Sequence, residues 1–130
     1  MKYLFKIMLP AISAFLIAGL SATATPPLAG SEWGMAGQDT PFIRFEAEGR
    51  VAGRAGCNRF FGSYEADGGR LKIGPLGTTR MACIPDRMAT EKRFLEMLEK
   101  TAAFERDGTK LIISDADGEQ LLKLVQRDWD

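Results

Sequence analysis

Histidine is absent from this chain of 130 residues, and its absence removes several classes of function at once. Serine or cysteine nucleophiles that use an imidazole base, zinc sites with imidazole ligands and histidine pH switches all need that side chain. Net charge is also lacking, because 17 basic residues balance 17 acidic ones. A neutral chain offers no basic field for nucleic acid, and its length fits one domain.

No apolar run is long enough to span a bilayer comfortably, but the N-terminus is organised like a secretory signal. Lys2 and Lys6 give it a positive start, Ile7–Leu20 carries no charge, and residues 21–24 read Ser-Ala-Thr-Ala, the small residues a signal peptidase prefers. A spanning helix needs about 20 apolar residues, so an uncleaved anchor is the weaker alternative. We expect residues 1–24 to be a signal peptide that is cut after Ala24.

A lipid anchor is not expected at this position. Residues 16–19 read Leu-Ile-Ala-Gly, like the front of a lipoprotein signal, but Leu20 stands where the lipidated cysteine would follow. Loss of Lys2 and Lys6 would leave a mature chain with a side-chain charge of about −2. We therefore expect a soluble monomer in the periplasm or outside the cell.

The rest of the chain is organised as one short linker and one domain. Pro26, Pro27 and Gly30 predict a linker over residues 25–31, followed by a domain over residues 32–130. Acidic-Gly turn signals separate seven runs with strand character, which predicts antiparallel hairpins. The runs are Pro41–Ala47, Arg50–Ala55, Phe60–Ala66, Arg70–Ile73, Ala102–Arg106, Lys110–Ser114 and Gln120–Gln126, and an eighth surrounds Trp33.

One segment, Asp86–Lys100, has helical character instead. It contains no glycine or proline, and its apolar residues share one face, with charged residues such as Glu91 on the others. That apolar face consists of Met88, Phe94, Leu95, Met97 and Leu98. A lone helix has only the sheet to pack against, so the predicted fold class is α+β: a strongly curled, mostly antiparallel sheet, a cracked barrel, around a single helix.

Only two cysteines occur, Cys57 and Cys83. In an exported protein a lone pair is most simply a disulfide, which here would stabilise the fold by roughly 3.5 kcal/mol. Two alternatives stay open, namely two buried free thiols and a redox-active or metal-binding pair. The second of these lacks the C-x-x-C spacing that lowers a thiol pKa, and no histidine can complete a zinc site.

The cysteine blocks resemble those of a known family. Residues 53–64 read GRAGCNRFFGSY, residues 74–83 read GPLGTTRMAC, and Trp33 matches a tryptophan near the start of that domain. The chain is similar to the META domain family, the HslJ-like envelope proteins of bacteria, from about Ser31 to Gln126. The resemblance implies a cracked barrel around a helix and, from some family members, a link to heat stress, antibiotic tolerance or virulence. It implies no catalytic residues.

Four motif residues are candidates for binding a partner: Asn58, Arg59, Tyr64 and Arg80. Aromatic and arginine side chains dominate binding hot spots, and a disulfide would hold these four on one rigid region. The structural alternative is a bulged strand corner in which Asn58 bonds a turn. Arg80, likewise, has the alternative of an internal ion pair with Asp86 or Glu91.

Two cofactor motifs are tested and rejected. The segment 74–78, Gly-Pro-Leu-Gly-Thr, lacks the lysine of a phosphate-binding loop. Asp115, Asp117 and Glu119 echo a calcium loop, but Gln126 occupies its twelfth position and strands flank it, so a hairpin turn is expected. No cofactor and no metal are predicted.

Three functions compete at this point. The favoured one is a non-enzymatic envelope protein, a stress-related accessory that binds an unknown envelope protein or small ligand. The others are a secreted inhibitor or partner-binding module, and an enzyme that uses Cys57 or paired carboxylates.

Overall fold

A computed structural model describes residues 27–128. Eight strands and one helix follow one another along the chain, with a single 3-10 turn at Ala47–Gly49. They are β1 (Ser31–Gly34), β2 (Phe42–Glu46), β3 (Arg50–Arg54), β4 (Arg59–Asp67), β5 (Arg70–Thr78), α1 (Pro85–Glu99), β6 (Ala103–Asp107), β7 (Lys110–Ser114) and β8 (Gln120–Arg127). The α+β prediction with one helix is confirmed for the described residues.

The strands form a closed antiparallel barrel in which each strand pairs with its neighbours in sequence. β8 closes the ring on β1, where Trp33 lies opposite Gln126. The weakest seam joins β5 to β6, which share one register pair, Arg70 opposite Ala103. The helix connects these two strands and packs against β5. The barrel therefore has its weakest strand pairing between β5 and β6, where the helix is inserted in the chain.

The core fills the interior of the ring, because alternate residues of each strand point inward. At the four predicted acidic-Gly turns a glycine takes a positive φ, which tight hairpins require. The largest fully buried side chains are Trp33, Phe45, Phe60, Phe94, Ile43, Leu71, Leu98, Leu111, Ile113, Leu124 and Val51. Alternation and turn chemistry together account for most of this fold.

β5 is longer than the sequence predicted. The prediction ended it at Ile73, because proline is seldom found inside a strand. In the structure the register shifts between Gly62 and Tyr64 of β4, and the facing segment of β5 holds the extra residue around Pro75. The bulge accommodates Pro75, and pairing continues to Thr78.

The linker prediction also needs correction. Leu28 lies within residues 25–31, yet its side chain is buried in the core. Ser31 begins β1 and is buried as well. The ordered domain therefore includes part of the segment assigned to a linker, because an apolar residue between the prolines and β1 reaches the core. The predicted signal peptide lies outside the described residues.

The helix buries the expected face without Met88, which is half-buried and outside the core, and with one addition. Phe94 and Leu98 are buried, and Leu95 and Met97 pack partly against the core. Glu91, which the sequence placed among the solvent-facing charges, is buried too. Its carboxylate has polar partners from the β3–β4 turn, and these explain how a charge is tolerated there.

Candidate functional site

Two neighbouring regions contain Cys57, Asn58, Arg59 and Cys83, whereas the other two predicted site residues, Tyr64 and Arg80, lie outside both regions. The first, which we call the cysteine junction, comprises Cys57, Asn58, Met81, Cys83 and Glu91. A disulfide joins Cys57 to Cys83, with their Cα atoms 6.0 Å apart. It ties the turn between β3 and β4 to the segment that leads into the helix. The predicted pairing is present, and the structure leaves no free cysteine among the described residues.

Asn58 is at the centre of this junction. Its Oδ1 accepts hydrogen bonds from the Met81 N–H (2.6 Å) and the Thr79 hydroxyl (2.9 Å). Its Nδ2 donates to the Met81 carbonyl (3.1 Å) and to Glu91 Oε2 (2.9 Å). The amide thus uses its full hydrogen-bonding capacity and is 3% exposed. Asn58 is a structural residue of the turn, and its assignment to a partner-binding surface is corrected.

Glu91 holds the same turn from the helix. Its Oε1 accepts from the backbone N–H of Cys57 (3.1 Å) and from that of Asn58. Burial alone would raise the pKa of Glu91, but the hydrogen bonds from the Asn58 side chain and the two backbone groups outweigh it and lower the pKa below the ordinary value. The carboxylate is therefore charged and structural at neutral pH.

Gly56 explains how closely the turn and the helix approach each other. A Cβ at this position would lie 2.7 Å from the Arg87 carbonyl oxygen and 3.0 Å from the Glu91 nitrogen, both backbone atoms. Only glycine fits without moving the helix. The glycine of the Gly-Cys-Asn motif thus allows the turn to pack directly against the helix backbone.

The remaining three predicted site residues are not on one surface. Arg59 and Tyr64 lie on opposite faces of β4, because they are an odd number of positions apart. The Tyr64 ring packs edge-on against Phe45 of the core with centroids 5.0 Å apart, and burial raises its pKa. Arg59 faces outward and is exposed. The structure therefore separates two residues that the sequence analysis grouped.

Arg80 is exposed on the segment before the helix. Within residues 27–128 it forms no ion pair with Asp86 or Glu91, so the internal-pair alternative is not found. Glu91 instead satisfies its oxygens with the turn groups described above.

The second region is a surface cavity of about 630 Å³ on the outer face of the barrel. We call it the arginine groove and define it by four arginines, one exposed aromatic ring and the small residue between them: Arg44, Arg54, Arg59, Arg127, Phe61 and Ala52. The register places Ala52 directly between Arg44 and Phe61 of the flanking strands. Because Ala52 is small and its two neighbours are large, a depression remains between them, and this forms the cavity.

Glu32 fixes one side of the arginine groove. Its carboxylate is 4% exposed and accepts from Arg44 Nε (3.0 Å) and Nη2 (2.7 Å) through one oxygen. The other oxygen lies 3.2 Å from Arg127 Nε. Arg127 also donates to the Asp39 carbonyl (2.7 Å) and lies 4.8 Å above the Phe42 ring centre. Two guanidiniums are thus held in place by one buried carboxylate.

The opposite side of the arginine groove has no carboxylate partner of this kind among the described residues. Arg54 and Arg59 are opposite each other across β3 and β4, and neither takes part in an ion pair within residues 27–128. Arg59 is anchored by its backbone, because its N–H donates to the Thr79 hydroxyl (3.1 Å) and its carbonyl accepts from the Thr79 N–H (3.0 Å). Two like charges therefore face each other at the mouth of the arginine groove.

Sequence reasoning found Arg59 but missed Arg44, Arg54 and Arg127. They come from different strands, and only the barrel register brings them together. The available signal was the alternation of side chains along a strand, since Arg44 lies on the polar face of the run that has Ile43 and Phe45 on its apolar face. Alternation identifies an outward residue, but it does not show which outward residues are neighbours.

The calcium-like segment forms the expected turn. The Asp115 carboxylate accepts from the backbone N–H groups of Asp117 and Glu119, both at 2.9 Å. Between residues 27 and 128, no cluster of three acidic or cysteine side chains is arranged to hold a metal. In the same range no helix is long and apolar enough to cross a membrane.

The fold and the groove define a small antiparallel barrel, interrupted by one helix, with an arginine-lined groove on its outer face. The META domain family matches residues 18–128, so the chain belongs to this family, as its motifs predicted. No curated protein matches the sequence.

Solved structures resemble the barrel at low sequence identity. An NMR structure of a protein from Burkholderia xenovorans is 22% identical, with a TM-score of 0.65, over 82% of this chain and 88% of that one. A second NMR structure is 23% identical, with a TM-score of 0.59, over 75% and 90%. A crystal structure of a DUF4847 family protein from Bacteroides vulgatus is 18% identical, with a TM-score of 0.54, over 68% and 60%. These likenesses show the fold alone.

Proposed function

We propose that the chain is an exported, stress-related accessory protein of the bacterial envelope that binds its ligand in the arginine groove and performs no turnover. The observation that carries the binding site is the unmatched Arg54 and Arg59 pair beside a cavity. Ligand cavities of a few hundred cubic ångströms with a few fixed polar groups are the usual form of a small-molecule site.

The chemistry of the lining supports binding over catalysis. A guanidinium keeps its proton at any physiological pH, so the arginines can orient and neutralise a ligand but do not exchange protons with it. Among residues 27–128 the two groups whose pKa is shifted, Tyr64 and Glu91, do not line the groove. Their shifts follow from burial and from hydrogen bonds within the fold.

The disulfide supports export, because such bonds persist in oxidising compartments. The test is to express the full chain in a Gram-negative host, fractionate the cells and measure the mass of the product. We expect a periplasmic protein that begins at Thr25, with a variant lacking residues 2–24 as the cytoplasmic control. An intact N-terminus in the cytoplasm would contradict export.

Binding at the groove is tested by NMR with a fragment library that contains anionic, neutral and cationic members. We expect amide shifts to cluster on β3, on the start of β4 and at residues 39–40. Hits that cluster elsewhere would refute the site. Steady consumption of a fragment, abolished by one substitution that leaves the spectrum otherwise intact, would refute the non-enzymatic assignment.

A further inference from the structure

The mouth of the arginine groove carries an electrostatic cost within the fold. Arg54 and Arg59 are direct cross-strand partners, and like charges in that position destabilise a sheet. No ion pair among the described residues relieves them. A bound anion between the two guanidiniums would remove the repulsion, so the fold itself favours a negatively charged ligand here.

The geometry of the charges selects the kind of anion. A guanidinium is a planar fork that binds two oxygens of a carboxylate or phosphate at once. Arg44 and Arg127 are already fixed by Glu32, and the backbone of Arg59 is fixed by Thr79. Arg54 and Arg59 are therefore the arginines left to receive a ligand, and the anchored backbone of Arg59 limits the entropy that this residue loses on binding. Asp39 contributes an opposing charge at the rim, but four arginines line the same cavity.

An apolar surface lies beside the charges. Phe61 is 54% exposed and, of the exposed large hydrophobic residues within 27–128, it is the one that lines the cavity. The ring lies over Gly77 of β5, where an added Cβ would meet Phe61 Cε2 at 2.8 Å, and it also lines the cavity, where its neighbour on β3 is the small Ala52. A ligand held by Arg54 and Arg59 would therefore place its adjoining atoms against this ring.

Resting on the proposed function, we propose that the ligand of the arginine groove is a small organic anion in which a carboxylate or phosphate is attached to a flat apolar group. The acid lies between Arg54 and Arg59, and the flat group packs on Phe61. The cavity volume of about 630 Å³ suits a small molecule. Carboxylate and phosphate share the recognition chemistry, and the experiment distinguishes them.

The test titrates the disulfide-bonded protein, labelled with ¹⁵N, with three probes of one shape: 2-naphthoate, 2-naphthyl phosphate and the neutral 2-naphthylmethanol. We expect one or both anions to shift the amides around Arg54, Arg59 and Phe61, and the neutral probe to leave them unmoved. The stronger anion identifies the acid. Added salt should weaken binding, because the site is exposed to solvent.

Variants assign the binding to the proposed groups. Arg54→Gln and Arg59→Gln should each lower the affinity for the preferred anion by about tenfold or more, since each removes charged hydrogen bonds. Arg59→Lys keeps the charge but lacks the planar guanidinium, so its affinity for the anion should lie between those of wild type and Arg59→Gln. Arg50→Gln is the matched control, an exposed arginine on β3 outside the groove, and should change binding by roughly twofold at most.

The outcomes separate this proposal from the one on which it rests. Equal binding of the neutral probe in the groove would overturn the anionic ligand and leave the groove as a binding site. Anion binding that survives both Gln substitutions would overturn the assigned residues. If no probe moves the groove amides, the ligand class is wrong, and the fragment library decides separately whether the groove binds anything.

Discussion

The cysteine junction and the arginine groove are adjacent, yet they satisfy their polar groups in opposite ways. At the junction the side chains of Asn58 and Glu91 use the backbone of the turn and each other, and none of the buried polar side-chain atoms among the described residues lacks a partner. In the groove two of four arginines share one carboxylate, and the facing pair has none. The comparison teaches that the saturated polar groups of the junction hold the fold together, whereas the unpaired charges beside the cavity are available to a ligand.

Loss of the disulfide should have the largest effect on this comparison. The double substitution Cys57→Ser and Cys83→Ser should lower the free energy of unfolding by about 3.5 kcal/mol, because it opens the loop that the bridge closes. Urea denaturation measures the loss. Reduced wild type should match the variant, and reductant should not affect the variant further. Equal stability of oxidised and reduced wild type would show that the junction does not depend on its bridge.

Removing the buried charge should come next. Glu91→Gln should cost about 2–3 kcal/mol at pH 7, because a carboxylate that accepts from Cys57 and Asn58 is replaced by an amide with a donor facing Asn58 Nδ2. Thermal unfolding at neutral pH provides the measurement. An unchanged melting temperature would show that the hydrogen bonds of Glu91 contribute little.

The same carboxylate predicts a pH dependence. Because the folded pKa of Glu91 is below its ordinary value, its contribution to stability is present above that value and is lost as pH falls through the folded pKa. The difference in the free energy of unfolding between wild type and Glu91→Gln should therefore narrow as the pH is lowered from 7 past the ordinary pKa of a glutamate. A difference that stays constant over this range would contradict the assignment.

Adding one methyl group at Gly56 should cost about 1–3 kcal/mol, because its neighbours are backbone atoms that cannot rotate away. Gly69→Ala is the control, since a Cβ there would lie 3.7 Å from its nearest atom, the Phe104 carbonyl oxygen. A Gly56→Ala protein as stable as this control would mean that the turn and helix are free to separate.

Substitutions in the arginine groove should change the free energy of unfolding least, and one of them should raise it. Arg54→Gln should raise the free energy of unfolding by about 0.2–0.5 kcal/mol without ligand, because it removes a like-charge cross-strand pair. Arg44→Gln should lower it, since Arg44 pairs with buried Glu32. Chemical denaturation of the two variants in parallel measures the difference. If both variants lose stability equally, the proposed contrast between the two sides is wrong.

The sequence predicts the barrel better than it predicts the groove, and the reason is locality. Hairpins depend on residues that are close in sequence, such as Asp107 and Gly108, so alternation and turn signals find them. The helix was found for the same reason. Glu91 was misplaced because periodicity sorts residues by polarity, whereas its burial depends on turn groups far away in the chain.

The groove depends on which strands become neighbours. Arg127 reaches Glu32, which also binds Arg44, only because β8 closes on β1, and no local pattern encodes that closure. Conversely, Arg59 and Tyr64 are close in sequence and were grouped for that reason, although strand parity separates them. Local proximity and spatial proximity are thus different properties in a barrel.

The closure of β8 on β1 has a consequence for the order in which the chain folds. The first and last strands are separated by nearly the whole described chain, and pairings of such high sequence separation form slowly. The ring cannot close without β8, and Arg127, in that strand, completes the contacts of Glu32. A chain whose closing strand comes so late stays threadable until that strand is available, which agrees with the export proposed above.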